Sequence, residues 1–474
     1  MRDGLRFINR HRELRALGRF WALPAAQCIP VLGRRRVGKT YLLEHFAAGR
    51  RHVYYRCQLR GSAEQVPLFG AALARLSADP VLLAQPPSTW PAIFALIERL
   101  CSEGRVLLVL DELPYWAARD ESLPSILQNW WDERGRHLDL MLVLAGSAVQ
   151  MMERLLTGDA PLAGCVTGRL AVRPFDVRAA GELLAFADPL DNITAYGILG
   201  GVPLYLSFFR PDLSIRDNLL EAIISPTARL YVEPQAVFAA HHEAFNAQQV
   251  LAVLRALARG RHRWSAIAEA SNINAAQLGR IMEPLIGDLA LVERVLPVTE
   301  QHETRTYWPQ YHLTDNFFRF WFRFVEPAQG AIEFGDAEPV VDGIMAALPE
   351  YLGLPFEAMC REWVGRASAA GVLPERLSAV GSWWNAHHQL DIVGLNAARQ
   401  IVVTGECKWR NQGFTWSDLQ TYLEHISALA TTHPVAPDSL HLLWSKAGFD
   451  ERVHAWAASA HARLLTPADL LAPI

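Results

Sequence analysis

Three apolar runs of strand length stand out in the first third of the chain: Ala26–Leu32, Val106–Leu110 and Leu140–Ala145. Strands in the middle of a parallel sheet have such unbroken runs because both of their faces are buried. Tyr41–Phe46 follows the first run and begins a helical pattern. Apolar strands that are followed by helices predict an α/β domain built on a parallel sheet.

The pattern changes in the middle of the chain to short amphipathic helices. Apolar residues recur at helical spacing in Val250–Leu257, Trp264–Ala270 and Ala275–Leu285. Two strand candidates follow them, Val292–Val298 and Thr306–Leu313. Three short helices before a β-ribbon predict a winged helix-turn-helix.

Two uses of this winged helix remain open. In a DNA-binding protein, the helix around Gln277–Met282 would enter the major groove. Its polar positions are few for a helix that reads bases, and they are Asn272, Asn274, Gln277 and Arg280. The alternative is a module that contacts protein or couples to a lid.

A β-hairpin is predicted in the last third of the chain. Its strands are Gln389–Val393 and a second one that begins at Ile401 and ends in Glu-x-Lys. Alternation along that second strand places Glu406 and Lys408 on the same face. Asp391 and Glu406 would then share one Mg²⁺, while Lys408 orients the attacking water or helps to deprotonate it.

The sequence GRRRVGKT, residues 33–40, lies between the first predicted strand and the first helix. Gly33 and Gly38 let the backbone curl so that its N–H groups cradle phosphates. Lys39 would reach the β- and γ-phosphates, and the Thr40 hydroxyl would ligate Mg²⁺. The strand–loop–helix context predicts a phosphate-binding loop.

Polar residues follow the other two apolar runs. Asp111 and Glu112 come directly after Val106–Leu110. We expect Asp111 to hold the Mg²⁺ shell and Glu112 to act as a general base that polarises water. Ser147 follows the third run, where it either senses the γ-phosphate or caps a helix.

Only three of the 45 basic residues are lysines, Lys39, Lys408 and Lys446. A planar guanidinium cannot replace an ammonium where a compact point charge is required. Because two of the three lie in the motifs described above, we expect Lys446 to lie close to Asp391 and Glu406. The net charge of −4 gives no global reason to expect nucleic-acid binding.

Cysteines and apolar segments limit the environment of the protein. The six cysteines are scattered without a CxxC pair, which argues against structural zinc and against a disulfide framework. The N-terminus is charged and lacks the apolar core of a signal peptide. The apolar runs are much shorter than a membrane span. These features predict a cytoplasmic protein with no membrane partner.

The order of the motifs resembles that of the archaeal-type ATPases, in the STAND branch of AAA-like P-loop proteins. The segments that carry this resemblance are Phe7–Leu14, GRRRVGKT, LDELPY, AGS, Thr167–Arg169, Arg173–Phe175 and the GGxP motif Gly200–Pro203. The resemblance covers essentially the whole chain and implies a helical lid around the GGxP motif. It implies ATP and Mg²⁺ as cofactors, and it implies self-association on activation, which the residues leave open.

The same resemblance implies positions for the nucleotide. Asn9 and Arg10 would lie near the adenine, and Tyr41, directly after the loop, joins the cofactor-binding set. Arg169 or Arg173 would approach the γ-phosphate, in cis or in trans, unless these arginines form structural salt bridges.

The predicted hairpin resembles that of PD-(D/E)XK nucleases, a domain that follows the ATPase in many members of this family. Glu357, on the preceding helix, would be the additional acid of that metal site. Gln389 departs from the pattern because an acid often occupies its position. The resemblance therefore leaves open whether the domain cleaves nucleic acid.

These patterns predict an α/β chain of four domains. A P-loop ATPase core at 1–180 precedes a helical lid at 181–240, a winged helix-turn-helix at 241–328 and a restriction-endonuclease-like domain at 329–474. Residues 326–341 are acidic, contain Gly and Pro, and predict a linker.

Two functions are compatible with this organisation. The first is an ATP-binding and ATP-hydrolysing switch coupled to a Mg²⁺-dependent nuclease-like domain that acts on DNA. The second is an ATP-regulated signalling or scaffold protein whose nuclease-like domain is catalytically inactive.

Overall fold

The computed structural model describes residues 7–235, 247–287, 289–300 and 309–474. The chain divides into two compact units, with the boundary between Pro174 and Phe175. Among the described residues, no helix combines the length and the apolar character that crossing a bilayer requires. The predicted separation of lid, winged helix and C-terminal domain within the second unit stays a prediction.

The first unit is a parallel sheet with helices on both faces. The strands lie in the order β2-β3-β4-β1-β5, and every neighbouring pair is parallel. The elements are α1 His11–Ala22, β1 Gln27–Leu32, α2 Lys39–Ala47, β2 His52–Arg56, α3 Ser62–Ser77, α4 Pro80–Ala84, α5 Trp90–Ser102, β3 Val106–Asp111, α6 Leu113–Ala117, α7 Leu123–Glu133, β4 Leu140–Gly146, α8 Val149–Leu156 and β5 Leu170–Ala171.

Alternation along the central strands divides the apolar residues of the first unit into two cores. Ile29 and Val109 belong to the core that includes α1 and α2. Cys28 and Leu108, their neighbours in sequence, belong to the core that includes α3, α5 and α7. All four side chains are at most 2% exposed. The predicted parallel sheet, buried on both faces, is therefore confirmed.

The second unit begins with helices and ends in a mixed sheet. Its elements are α9 Val177–Leu184, α10 Pro189–Leu199, α11 Pro203–Leu206, α12 Ile215–Leu219, α13 Ala247–Ala258, α14 Trp264–Ser271, α15 Ala275–Ile286, β6 Val292–Val295, β7 Gln310–Leu313, α16 Asn316–Phe320, α17 Gln329–Glu333, α18 Ala337–Tyr351, α19 Gly353–Ala369, β8 Ala379–Trp384, β9 Gln389–Leu395, β10 Ile401–Lys408, α20 Trp416–Ala430, β11 Val435–Ser445, α21 Glu451–Ser459, β12 Ala462–Leu465 and α22 Pro467–Leu471.

Helices α13, α14 and α15 precede the antiparallel pair β6–β7, in the order that the sequence predicted, and the assignment as a winged helix stays a prediction. Asn274 caps α15, because its side chain accepts a hydrogen bond from the backbone N–H of Gln277 at 2.9 Å. Val292 lies opposite Leu313 in the ribbon, which is shorter than expected. Part of the second predicted strand, residues 306–308, lies outside the described residues.

The predicted linker at 326–341 is wrong. Helix α17 and the beginning of α18 occupy this segment. Ile332 is 2% exposed and Val341 is fully buried, so both side chains join the core of the second unit. Acidic residues obscured this burial because they lie on the outer faces of the helices, where Glu338 pairs with Arg216.

The C-terminal sheet has the strand order β12-β11-β10-β9-β8. Strands β8, β9 and β10 are antiparallel neighbours, whereas β10, β11 and β12 run parallel. The predicted hairpin is therefore present as β9 and β10. Helix α19 packs against this sheet, with Cys360 beside Cys407.

The GGxP motif contacts the chain at the beginning of the second unit. The N–H of Phe175 donates to the carbonyl oxygen of Gly201 at 2.7 Å. A Cβ atom on Gly201 would lie 1.8 Å from the carbonyl oxygen of Phe175. Gly200 has a φ of +66°, in the left-handed region that favours glycine. The two glycines thus allow a close backbone contact that no larger residue permits.

We expect Gly201→Ala to destabilise the second unit by roughly 1–3 kcal/mol, because the added methyl group must displace backbone atoms. Gly279→Ala is the matched control, since its Cβ would meet nothing within 4 Å. In helix α15 that change should be neutral or stabilise by about 0.5–1 kcal/mol. Urea unfolding followed by circular dichroism measures both, and equal midpoints for the two variants would contradict the assignment.

Candidate functional sites

The loop of residues 33–40 has the geometry of a phosphate-binding loop. Gly33 directly follows β1 and lies close to the backbone after β5, because a Cβ on Gly33 would lie 2.4 Å from the carbonyl oxygen of Val172. Gly38 has a φ of +91° and directly precedes helix α2. Both glycines are thus required by the backbone, and the loop opens onto the N-terminus of α2, where unpaired N–H groups favour an anion.

Lys39 lies inside this loop and is 5% exposed. Its Nζ donates to the carbonyl oxygens of Gly33 at 2.6 Å and of Arg34 at 3.1 Å. Burial lowers the pKa of Lys39, while the charges of Glu112 and Asp111 act in the opposite direction. The ammonium is therefore a buried point charge, held by the loop that it would serve.

Asp111 ends β3 and is fully buried. Its Oδ2 accepts hydrogen bonds from Thr40 Oγ1 at 2.8 Å and from the Tyr54 hydroxyl at 2.7 Å. Its Oδ1 is buried and has no hydrogen-bond partner among the described residues. A carboxylate oxygen without a partner, next to a threonine hydroxyl, is an oxygen donor set of the kind that Mg²⁺ uses. The residues at this position fit Mg²⁺.

Glu112 follows Asp111 with a φ of +59°. Its Oε2 accepts hydrogen bonds from the Ser147 N–H and the Ser147 hydroxyl, both at 2.9 Å. The ends of β3 and β4 are thus joined by one carboxylate. The predicted base and the predicted γ-phosphate sensor contact each other directly, and their catalytic roles stay predictions.

The segment before α1 is held against the phosphate loop. Arg10 is 6% exposed and donates to the carbonyl oxygen of Val37 at 2.8 Å, and it also pairs with Glu13 at 2.8 Å. Asn9 has a φ of +58°. The ring of Tyr41 lies 5.6 Å from that of Phe7. Arg10 thus supports the loop, and adenine contacts of Asn9, Arg10 and Tyr41 stay predictions.

Arg169 lies in a segment that is anchored to β1. The Thr167 hydroxyl accepts from the N–H of Cys28 at 3.0 Å, and a Cβ on Gly168 would collide with the ring of Phe20. The Arg169 guanidinium donates to the carbonyl oxygen of Leu156, at the end of α8, at 2.7 Å. Arg169 is therefore engaged with the backbone here, and its approach to the γ-phosphate stays a prediction.

A second group of charged residues lies in the C-terminal sheet. Gly405 lies opposite Ile392 in the β9–β10 pair, so the next residues, Glu406 and Asp391, are neighbours. Asp391 Oδ2 accepts from the N–H of Cys407 at 3.0 Å. The antiparallel register thus brings together Asp391 and Glu406, as the sequence predicted.

Glu406 pairs with Lys408 at 2.7 Å. The other oxygen of this carboxylate, Oε2, is buried and has no hydrogen-bond partner among the described residues. Burial raises the pKa of Glu406, and the charge of Asp391 adds to that effect. Burial and Asp391 likewise raise the pKa of Glu357, which lies 3.7 Å from Arg361. The three carboxylates are thus close enough to interact electrostatically.

The fit of a divalent ion to this second site depends on two of these carboxylates. No group of three or more His, Cys, Asp or Glu side chains in the described ranges is arranged to hold a metal ion. Mg²⁺ is often held by only one or two carboxylates, with water or substrate oxygens completing its shell. Asp391 and the unpartnered oxygen of Glu406 fit that requirement, and participation of Glu357 stays a prediction.

Lys446 lies beside the end of this hairpin. Its backbone N–H donates to the carbonyl oxygen of Lys408 at 3.0 Å. Its Nζ donates to Asn411 at 2.8 Å and lies 5.3 Å from the centre of the Trp409 ring. The backbone of Lys446 thus contacts the end of β10 and its ammonium binds the loop that follows, while the expected closeness to Asp391 and Glu406 stays a prediction.

Sequence reasoning missed three residues at these sites. Tyr54 lies on β2 and donates a hydrogen bond to Asp111. The alternation of polar and apolar residues in His52–Arg56 could have predicted this strand. Arg361 donates to the carbonyl oxygen of Asp391 at 2.9 Å. Ser445 lies opposite Lys408, is fully buried, and its hydroxyl has no partner among the described residues. No local motif gives Arg361 or Ser445 a role at these sites, because their positions depend on packing and register.

Two protein families match separate parts of the chain. Residues 7–209 match the family described as "ATPase domain predominantly from Archaea". Residues 321–420 match "Archaea bacterial proteins of unknown function". The second match includes the hairpin carboxylates and ends within α20.

Two known proteins resemble large parts of this chain. An uncharacterized protein of Methanocaldococcus jannaschii is 25% identical over 407 residues, which are 85% of this chain and 88% of that protein. The Walker-type ATPase PABY2304 of Pyrococcus abyssi superposes with a TM-score of 0.52 at 18% identity, and the alignment covers 67% of this chain and 96% of that one. At this identity, the second likeness concerns the fold alone. The chain therefore contains a P-loop ATPase domain of a predominantly archaeal type, followed by a C-terminal domain of unknown function.

Proposed function

We propose that this protein is an ATP-binding and ATP-hydrolysing switch of the STAND type, coupled to a Mg²⁺-dependent nuclease-like domain that acts on DNA. The observation that carries the ATPase part is the convergence of Lys39, Thr40 and Asp111 at one edge of the parallel sheet. This arrangement supports binding of the nucleotide phosphates by the loop, with Lys39 on the β- and γ-phosphates. When bound, Mg²⁺ would neutralise charge that develops on the transferred phosphate.

The chain itself would supply positioning and proton transfer at the ATP site. Thr40 and Asp111 would hold the ion of the nucleotide, and Tyr54 fixes the rotamer of Asp111 by donating to Oδ2. Glu112 would accept a proton from the attacking water, with Ser147 orienting its carboxylate. Asn9, Arg10 and Tyr41 would surround the adenine, and Arg169 would approach the γ-phosphate.

The nuclease part of the proposal depends on Asp391, Glu406 and Lys408. Asp391 and Glu406 would hold a divalent ion, with Glu357 as an additional acid. Lys408 Nζ, now donating to Glu406 at 2.7 Å, would orient the attacking water. The buried unpartnered oxygen of Glu406 supports a ligand at this position, because such an oxygen is costly without one.

An inactive C-terminal domain in a signalling or scaffold ATPase is the second candidate function. The absence of a three-residue metal-binding group in the described part of the chain favours it. The pairing of Glu406 with Lys408, and of Glu357 with Arg361, also satisfies charges internally.

Lys39→Ala should abolish ATP hydrolysis, because no other side chain of the loop supplies an ammonium to the phosphates. Steady-state phosphate release measures this effect. Arg75→Ala is the control, since Arg75 is an exposed helix residue of the same unit. Hydrolysis that persists in purified Lys39→Ala protein would refute the phosphate-loop assignment.

Tyr54→Phe should lower the kcat of ATP hydrolysis by about 10–150-fold, since one hydrogen bond to a charged group contributes about 1.5–3 kcal/mol. Nucleotide binding should change little, because Lys39 and the loop are untouched. Tyr55→Phe is the matched control, since its hydroxyl makes only long contacts to Gln65, at 3.3 Å. If both variants hydrolyse ATP at the wild-type rate, Tyr54 does not position Asp111.

Asp391→Ala and Lys408→Ala should each abolish DNA cleavage measured with Mg²⁺ or Mn²⁺ and ATP. Glu424→Ala, which removes an exposed carboxylate from α20, should cleave at the wild-type rate. The substrates should include single-stranded and duplex DNA, with RNA for comparison. No cleavage by the wild-type protein, or unchanged cleavage by Lys408→Ala, would favour the inactive scaffold instead.

A further inference from the structure

An open cleft in the second unit is lined by four arginines. Arg255 projects from α13, Arg259 and Arg261 from the turn that follows, and Arg323 from the wide helical turn Trp321–Val325. We call this the arginine cleft. Its volume is about 680 Å³, and Glu326 is the acidic residue among those that line it.

Positive charge in the arginine cleft is only partly compensated. Arg255 pairs with Glu326, with Nε donating to Oε2 at 2.7 Å. Arg259, Arg261 and Arg323 form no ion pair with a carboxylate of the described residues. Three guanidinium charges therefore face one cleft of a protein whose net charge is −4. A local charge of this kind attracts an anion even when the whole molecule does not.

Local backbone structure produces this arrangement. Helix α13 ends at Ala258, and Gly260 has a φ of +80°, which turns the chain back. The N–H of Arg261 donates to the carbonyl oxygen of Ala256 at 3.1 Å, so the turn stays close to the helix. Alanines on α13 and α14 line the cleft between the arginines and leave it open. The cleft thus follows from the fold and does not require a rearrangement to form.

We propose that the arginine cleft binds phosphate groups of a nucleic-acid backbone. Guanidinium groups match phosphate oxygens with two parallel hydrogen bonds. The lining offers alanine and proline but no large apolar or aromatic pocket, which an acidic peptide would need as an anchor. The cleft also lies on the helices for which a winged helix-turn-helix is predicted, and helix-turn-helix folds are used on nucleic acid.

Phosphate binding by the arginine cleft differs from base reading by α15, the helix that the sequence predicted to enter the major groove. At the beginning of α15, the Asn274 amide donates to the side chain of Gln277 at 2.9 Å, so these two side chains are bonded to each other. No residue of α15 lines the arginine cleft. Contacts to phosphates carry no sequence information. Binding through the cleft is therefore independent of base sequence and strongly dependent on salt.

Binding of nucleic acid by the arginine cleft requires neither ATP nor a divalent ion. It is therefore separate from the proposed ATP hydrolysis and DNA cleavage. A fluorescence anisotropy titration of the full chain, in EDTA and without ATP, tests it separately from ATP hydrolysis and cleavage. The probes are a duplex of about 20 base pairs and a single strand of about 20 nucleotides, each in several sequences, from about 50 to 200 mM salt.

The test variant is the triple substitution Arg259→Ala, Arg261→Ala and Arg323→Ala. We expect its affinity to fall at least tenfold for every probe sequence. The slope of log K against log salt should become shallower by about 2–3, because each phosphate contact contributes about 0.9. ATP hydrolysis by the same preparation reports whether the protein is folded. A triple Arg→Lys variant at these positions, which keeps the charges, should retain most of the salt dependence.

A control removes the same charge from elsewhere with Arg75→Ala, Arg229→Ala and Arg376→Ala, three exposed positions outside the cleft. Its affinity should stay within about threefold of wild type. Equal losses in the two triple variants, or unchanged affinity in the cleft variant, would overturn the proposal. Displacement of the labelled probe by polyglutamate, but not by unlabelled nucleic acid, would assign the cleft to an acidic peptide instead. Displacement by equimolar ATP or pyrophosphate would assign it to a free polyphosphate.

Discussion

Parallel strand pairing is the constraint on which the nucleotide site depends. Strand β1 pairs with β4, and β4 pairs with β3, all in the same direction. Their carboxyl ends therefore meet at one edge, where the phosphate loop, Asp111 and Ser147 project from three segments that are far apart in sequence. The hydrogen bonds Thr40–Asp111 and Ser147–Glu112 then join these ends directly. Without the buried apolar strands behind them, charged groups so close together would separate into water.

The C-terminal site depends on the opposite type of pairing. Antiparallel register places Asp391 beside Glu406, and the backbone N–H of Cys407 holds Asp391. Helix α19 adds Glu357 and Arg361 from the side, so that one guanidinium approaches Glu357 and donates to the Asp391 carbonyl oxygen. Burial raises the pKa values of Glu357 and Glu406, which makes a nearby cation energetically important. Lys408 and Arg361 supply that compensation within the described residues.

Arginine has three different uses in this chain. Arg10, which is buried, and Arg169, which is exposed, both donate to backbone carbonyl oxygens and shape the nucleotide-binding region. Arg216 forms ion pairs with Glu338 and Asp342 on α18, the helix that begins within the segment predicted as a linker. Arg259 and Arg261 pair with no carboxylate in the described ranges and line an open cleft. Counting basic residues cannot separate these uses, because net charge is a sum whereas function depends on which guanidinium has a partner.

Apolar periodicity and glycine positions are local signals, and they were enough to predict the central strands, the phosphate loop, the three short helices before a β-ribbon and the β9–β10 hairpin. The same local signals pointed to Lys39, at the end of the phosphate loop, and to Asp111, Asp391 and Glu406, which lie on strands of the two sheets. Three features are visible only in the folded chain. Tyr54 donates a hydrogen bond to Asp111, Arg361 contacts the Asp391 carbonyl oxygen, and residues 326–341 are largely helical. The tertiary structure also decided that the ammonium of Lys446 binds Asn411. Each of these outcomes depends on contacts between segments distant in sequence, and burial there outweighs the polarity that a local pattern records.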